Sequence, residues 1–268
     1  MDSHETFTWQ KHRLSVRLLR WFGWLLLVAT FVYCWQVISE NTEWFFVEDA
    51  PAVAADIGSR MVPPRWEYLA DLWRPLWDTI NIATLGTALA ILVATPVAFL
   101  AARNTTPSTR FVRPLALFVI VASRSINSLI WGLLLVTILG PGVLAGIIAI
   151  MLRSIGFLAK LIYEAIEEID VSQVEAITAT GASGAQVMTY GIWPQILPAF
   201  AGTAVFRWDI NIRESTVLGL VGAGGIGLEL QSSINIVAWQ QVSVILLCIL
   251  LTVVFSEWVS SRIRHAII

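Results

Sequence analysis

Residues 172–194 read SQVEAITATGASGAQVMTYGIWP, a stretch of small and polar side chains with one acid and no Lys or Arg, set between two long apolar runs. Ser172 and Glu175 fit a capping box, in which each side chain satisfies an exposed amide at a helix start, so a short helix is expected to begin there. Ala176, Ala179 and Ala182 favour helix with little bulk, Gly181 permits a turn, and Pro194 suits the first turn of a following helix. The expected product is a small helical elbow at a membrane surface.

The flanking runs belong to a series. A bilayer core of about 30 Å needs roughly 20 apolar helical residues, because in hydrocarbon every backbone amide must be paired within its own segment. Such runs occur near 21–38, 79–101, 112–138, 143–165, 195–213 and 237–259, which predicts an all-α integral membrane protein with about six transmembrane helices. Composition agrees: 57% of the 268 residues are hydrophobic and 13% are charged, against about 25% charged in a soluble domain. The net charge of -2 gives no general attraction for nucleic acid. Cys34 and Cys248 each lie in an apolar run, so no disulfide is expected. Neither Lys11 nor Lys160 follows the glycine-rich run of a P-loop, so ATP would have to be bound by a partner.

Charge then orients the chain. Lys11, Arg13, Arg17 and Arg20 precede the first run, Arg103, Arg110 and Arg113 follow the second, and Arg262 and Arg264 follow the sixth. The positive-inside rule puts these on one side, with both termini cytoplasmic. The opposite side receives the acid-rich segment 39–78. A cleaved signal peptide is the rival reading of the first run, but the run is long for a signal core, and the Ala-x-Ala at Ala52–Ala54 lies well beyond it; a retained anchor is expected. The segment 166–193 breaks the pattern, carrying Glu167, Glu168, Asp170 and Glu175 without a basic residue on the cytoplasmic side. It is better explained as covered by protein than as lying on anionic lipid.

Glu175, Ala176, Gly181 and Pro194 match in spacing the EAA-x3-G-x9-I-x-LP signature of bacterial ABC importer permeases, whereas Ile177, Gly191 and Trp193 depart from it. The runs SRSINSLIWGLLL (123–135), KLIYEAIEEID (160–170) and NIRESTVLGLVGAGGIGLEL (211–230) resemble permeases of phosphonate transport, a set that includes phosphite and hypophosphite permeases. The resemblance covers roughly residues 75 to 260. It implies a type I ABC importer permease core over 79–261, preceded by a cytoplasmic basic tail (1–20) and the first transmembrane helix with an external segment (21–78), and followed by a cytoplasmic tail (262–268). It also implies that 172–193 holds the coupling helix that docks on an ATPase subunit, with Glu175, Ala176, Gly181 and Pro194 as its marker residues. Implied partners are a second permease subunit, most simply an identical one, two ATP-binding subunits carrying ATP and Mg, and an external solute-binding protein. The implied location is the bacterial inner membrane.

Gly222, Gly224, Gly225 and Gly227 formally satisfy G-x-G-x-x-G, but they lie between two membrane runs rather than after a strand in a βαβ unit, so a dinucleotide site is refused. An external gate and a tight structural turn both remain open for them. Methionine and betaine permeases carry a similar glycine run, so this piece alone does not choose a cargo.

Ionisable side chains at membrane depth are costly and normally face a bundle interior or a wet cavity. Arg124 and Arg207 each fall about 12 residues into a run, about 18 Å deep at 1.5 Å per residue, and Arg153 at similar depth. Arg124, Asn127 and Trp131 are spaced i, i+3, i+7, and Arg207, Asn211 and Glu214 i, i+4, i+7, so each set would occupy one helical face. Arg124, Asn127, Arg207 and Asn211 are the expected lining of a path for an anionic solute, a phosphonate or phosphite; buried ion pairs, Asp209–Arg213 and Glu214–Arg207, are the competing reading. An intramembrane enzyme fits poorly: His4, His12 and His265 lie in the tails, no HExxH or GxSxG occurs, and arginine is no general base at neutral pH. A passive channel would have no use for a coupling motif. The expectation is a permease subunit without a catalytic site or cofactor of its own.

Overall fold

The computed structural model describes residues 14–267, all helix and connecting turns. Lys11 and Arg13 of the expected basic tail, with His4 and His12, lie outside the described residues. The chain forms two compact units, Met1–Ser59 and Arg60–Ile268.

The first unit holds α1 (Leu14–Asn41) and most of α2 (Trp44–Arg60). α1 starts inside the segment expected to be a tail, so Arg17 and Arg20 ride on its first turns. It is long and apolar enough to cross a bilayer, and none of its spanning stretch is buried by protein. Those side chains suit lipid.

In the second unit, a 3-10 turn at Trp66–Ala70 leads into α3 (Trp73–Ala101). α4 (Val112–Ser125), α5 (Ser128–Leu139) and α6 (Val143–Glu167) follow. The elbow comprises α7 (Val171–Ala179), α8 (Gly184–Gln186) and a π-helical turn, Val187–Ile192. α9 (Trp193–Gly219), α10 (Ile226–Asn235) and α11 (Trp239–Ile267) complete the chain. α3 starts before residue 79 and α11 runs unbroken past 261, so neither expected boundary coincides with a helix end.

Among the described residues four helices, α1, α3, α6 and α11, pass as membrane spans by length and composition, and α4 with α5 makes a fifth only as a pair bent by 85°. The straight span expected over 112–138 is therefore corrected to a broken one. Ile126 and Asn127 are extended, and Asn127 Oδ1 accepts the amide of Leu129 at 3.1 Å, starting α5 anew. A short polar side chain offers the backbone this alternative to a continuous helix. Depth counted along a straight helix fails for Arg124, and Arg124, Asn127 and Trp131 do not share one face.

α9, the fifth expected span, is helical and at 27 residues long enough, about 40 Å. It is not apolar enough to pass by composition, because Arg207, Asp209, Asn211 and Ser215 sit along it. All four are buried against neighbouring helices.

α3 and α6 are the central pair, with α9 packed on both. α3 turns a row of small residues inward: Ala83, Ala90, Ala94, Ala98 and Ala101 are fully buried. A Cβ on Gly86 would lie 2.7 Å from Ile150 Cγ2 on α6, so the glycine sets how closely the two helices approach. Close backbone approach replaces the hydrophobic effect as the adhesive when lipid is as apolar as the side chains. α4 is tied to α6 similarly: Ser123 donates to Leu152 O and accepts from the amide of Gly156 at 2.9 Å.

The segments 102–111 and 168–192 and the C-terminus of α11 lie at one end of this unit, and residues 66–72, 140–142 and 220–238 at the other. At the first end, Glu167 accepts from the amide of Arg103 at 2.9 Å and faces Arg113 at 3.5 Å, while Asn104 donates to Ile166 O at 2.5 Å. The acid-rich segment is thus met at its start by a basic loop of the same chain.

Candidate functional site

Between α5, α6 and α9 lies a cleft of about 640 Å³, lined by Asn127 and Ser128, by Arg153, and by Phe206, Arg213 and Glu214 among others. Its charge is organised around Glu214. One carboxylate oxygen lies 3.4 Å from Arg153 Nε, and both oxygens lie 3.3 Å from Arg207 Nη2. Arg207 is 3% exposed. Its Nε donates to Ser154 Oγ at 3.0 Å, and its guanidinium stands 5.1 Å from the centroid of the Phe157 ring, within cation–π range. Behind it, Asn211 donates to Thr87 at 2.7 Å and to Ser154 at 3.1 Å, joining α3, α6 and α9.

The four path residues expected from sequence are thus separated. Asn127 lines the cleft; Arg207 and Asn211 form the buried wall behind it. Arg124 is exposed at the end of α4, its stem close enough to Gly156 that a Cβ there would meet Arg124 Cγ at 2.7 Å. Arg153 and Glu214, which line the cleft directly, were not on the expected path. The signal for Glu214 was its i+7 spacing from Arg207; nothing local singled out Arg153 beyond its depth. Asp209 and Arg213 pair with each other, and Asp209 also accepts from Ser256 at 2.7 Å.

The elbow is built with a different cap from the one expected. Asp170, not Ser172, is the N-cap of α7: its Oδ1 accepts from the amide of Ser172 at 2.9 Å and from its hydroxyl at 2.7 Å. These hydrogen bonds, the hydroxyl's first, hold the Asp170 carboxyl below its ordinary pKa. A capping box does form, but at Ser183 and Gln186. Glu175 and Ala176 are exposed, whereas Val174 and Ile177 turn toward Gly191, where a Cβ would already touch Ile177 Cδ1 at 3.4 Å. Gly181 takes φ +81 and Pro194 stands in the first turn of α9. The widened π turn just before it suits a proline, which has no amide to give and whose ring crowds the carbonyl four residues back.

At the opposite end, Gly222, Gly224 and Gly225 adopt φ of +90, +82 and +75. Gly142 donates to Gly222 O at 3.0 Å, and Ile226 donates to Thr79 Oγ1 at 2.8 Å, seating the turn between α3 and α6. Gly227 serves by size: a Cβ there would collide with the backbone of Thr216 and Gly219. Nearby, Tyr68 donates to Glu229 at 2.9 Å; burial first, then this carboxylate, raises its pKa.

Comparison with known proteins adds the following. Residues 94–266 match the family of binding-protein-dependent transport system inner membrane components. The chain is 40% identical to the phosphite transport system permease protein PtxC of Stutzerimonas stutzeri over 91% of its own length and 86% of that protein's. It is 36% identical to the phosphate-import permease protein PhnE of Mycolicibacterium smegmatis over 90% of its length and 44% of that one's. Its fold is similar to a chain of the inward-facing MetNI methionine ABC transporter, with a TM-score of 0.64 and 22% identity over 74% of this chain and 96% of that one.

Proposed function

The chain belongs to the family of binding-protein-dependent transport system inner membrane components, and from that premise we propose that the solute it passes is a small phosphorus oxyanion, phosphite or a phosphonate. It is a multi-pass permease subunit of an ABC importer; in this family the ATPase is a separate subunit. The observation that carries the cargo is the 40% identity to a phosphite permease over nearly the whole chain. The guanidiniums of Arg153 and Arg207 at the cleft supply the chemistry such an anion needs, since arginine pairs with phosphorus oxyanions through charge-assisted hydrogen bonds. The methionine transporter supports the fold but not a methionine cargo, its identity being 22%.

In this reading the permease works as a pair, most simply of identical chains, with two ATPase subunits that bind ATP and Mg and an external binding protein that delivers the anion. The exposed face of α7, with Glu175 and Ala176, docks on the ATPase; Gly181 and Pro194 shape the elbow behind it. Gly222, Gly224, Gly225 and Gly227 form the turn at the external mouth, where a shift of α9 against α3 and α6 opens or closes access. Asn127 and Arg153 meet the anion in the cleft, Arg207 and Asn211 back it, and Arg124 lends positive potential from the end of α4.

The test is to co-express the chain with its ATPase and binding-protein subunits, reconstitute the complex in liposomes, and follow uptake and ATP hydrolysis with phosphite, methylphosphonate, phosphate and methionine. One of the oxyanions should stimulate both, and Glu175→Arg should abolish association with the ATPase without lowering the yield of folded permease. Stimulation by methionine alone would refute the cargo; failure to bind any ATPase would refute the role of α7.

A further inference from the structure

Glu214 stands among groups that a transported anion would need. Its two oxygens face Arg153 on α6 and Arg207 on its own helix, so one carboxylate serves two guanidiniums and one positive charge is left uncompensated. Carboxylate and phosphorus oxyanion offer guanidinium the same partner, a delocalised anion with several acceptor oxygens.

The contacts are loose for what they are. A charge-assisted N–H···O bond closes to about 2.7–2.9 Å, whereas those to Glu214 are 3.3–3.4 Å. Both of its oxygens share one nitrogen of Arg207, and Arg153 Nε, though buried, completes no hydrogen bond. The guanidiniums are partly neutralised and their hydrogen-bonding capacity is not filled.

The partners also differ in freedom. Arg207 is 3% exposed and fixed by Ser154 and Phe157, whereas the Glu214 side chain is 20% exposed on the wall of a cleft of about 640 Å³. Asn127 and Ser128 face it from α5. Glu214 therefore has open space to swing into, as does Arg153, whose side chain is 30% exposed, whereas Arg207 is held in place.

Resting on the reading of the cargo as a phosphorus oxyanion, we propose that Glu214 is an internal surrogate for that cargo: it occupies the guanidiniums of Arg153 and Arg207 when the cleft is empty and is displaced when an oxyanion enters. Two bare guanidiniums at membrane depth would be costly, and they would hold an entering anion too firmly for release, whereas conduction needs binding weak enough to leave. A competing carboxylate solves both problems. It offsets charge in the empty state, and by returning it expels the anion.

The experiment uses the detergent-solubilised complex of permease and ATPase subunits without the binding protein, with phosphite binding measured by calorimetry and phosphite uptake measured in proteoliposomes. Wild-type uptake comes first. If the assembled wild type, with its binding protein, takes up no phosphite, methylphosphonate or phosphate, the cargo reading falls and the surrogate with it. With uptake established, Glu214→Gln should tighten phosphite binding about tenfold, lower the KM of uptake and slow turnover. Glu214→Asp, which draws the carboxylate back by one methylene, should tighten binding about threefold and serves as the second variant if the amide does not assemble. Unchanged or weaker phosphite binding by either variant in an assembled complex overturns the proposal while leaving the cargo intact. A merely structural ion pair would reduce assembly or turnover without tightening binding.

Discussion

Asn211, 0% exposed, spends both amide hydrogens on hydroxyls of other helices, Thr87 on α3 and Ser154 on α6. Ser154 also accepts from Arg207, so one hydroxyl links the buried amide to the charged cluster. Asn211→Ala should therefore lower stability by about 1 kcal/mol, the scale of interhelical polar contacts in membranes, read as a lower melting temperature of the purified permease; an unchanged value would mean the contacts are incidental. The i, i+4, i+7 spacing of Arg207, Asn211 and Glu214 was legible because α9 is continuous there. The parallel inference for Arg124, Asn127 and Trp131 failed because Asn127 caps a new helix, and spacing arguments presuppose one helix. The clue, an asparagine next to Ser128 and two residues after Ser125, looked like a polar stripe rather than a break. Arg153 could be placed at the cleft only once α6 and α9 were packed, since no local pattern pairs it with a glutamate 61 positions away.

α7 is short enough that its capping matters, because at nine residues it cannot hold itself together by propagation alone. Its start was misplaced in the sequence reading by the coincidence of Ser172 and Glu175, when Asp170 already supplies the acceptor for the Ser172 amide. Asp170→Ala should speed amide exchange at Ser172 and neighbouring amides of the first turn, while the π turn and α9 stay protected. pH gives the same result without mutation. The folded pKa of Asp170 lies below its ordinary 3.8, so the cap's contribution is present above that value and is lost as pH falls through the folded pKa, not in the neutral range. The excess exchange of Asp170→Ala over wild type should thus hold through the neutral and mildly acidic range and fade only in acid, as pH falls through the lowered folded pKa. An excess that disappears near neutrality would mean that another group caps α7.

Across the Arg60–Ile268 unit, charge and packing divide the two ends in the same way. Arg103, Arg110 and Arg113 lie at the end that carries α7, and Arg262 and Arg264 stand in the last turns of α11 at that end too. The glycine turn and the Tyr68–Glu229 contact lie at the other. Apolar runs made α3, α6 and α11 legible, and proline and glycine marked the elbow and the turn. How the polar residues of α9 are covered was not legible, because it depends on the neighbouring helices, and the bend at Asn127 was hidden because its cap reads as one more polar residue in an apolar run. Two of the four acids in the 166–193 segment are accounted for within the chain, Glu167 by the 103–113 loop and Asp170 by a helix cap, while Glu168 and Glu175 stand exposed. Since basic residues near helix ends favour the cytoplasmic side, the α7 end and the C-terminus should both be cytoplasmic. Cysteines introduced singly at Glu175 and at Arg264 in a Cys34→Ser, Cys248→Ser background should resist a membrane-impermeant maleimide in intact cells and react once the membrane is opened, whereas one at Ile236, exposed near the glycine turn, should react in both. Labelling at Glu175 in intact cells would invert the permease and with it the assignment of α7 to an ATPase, because ATP is available only inside.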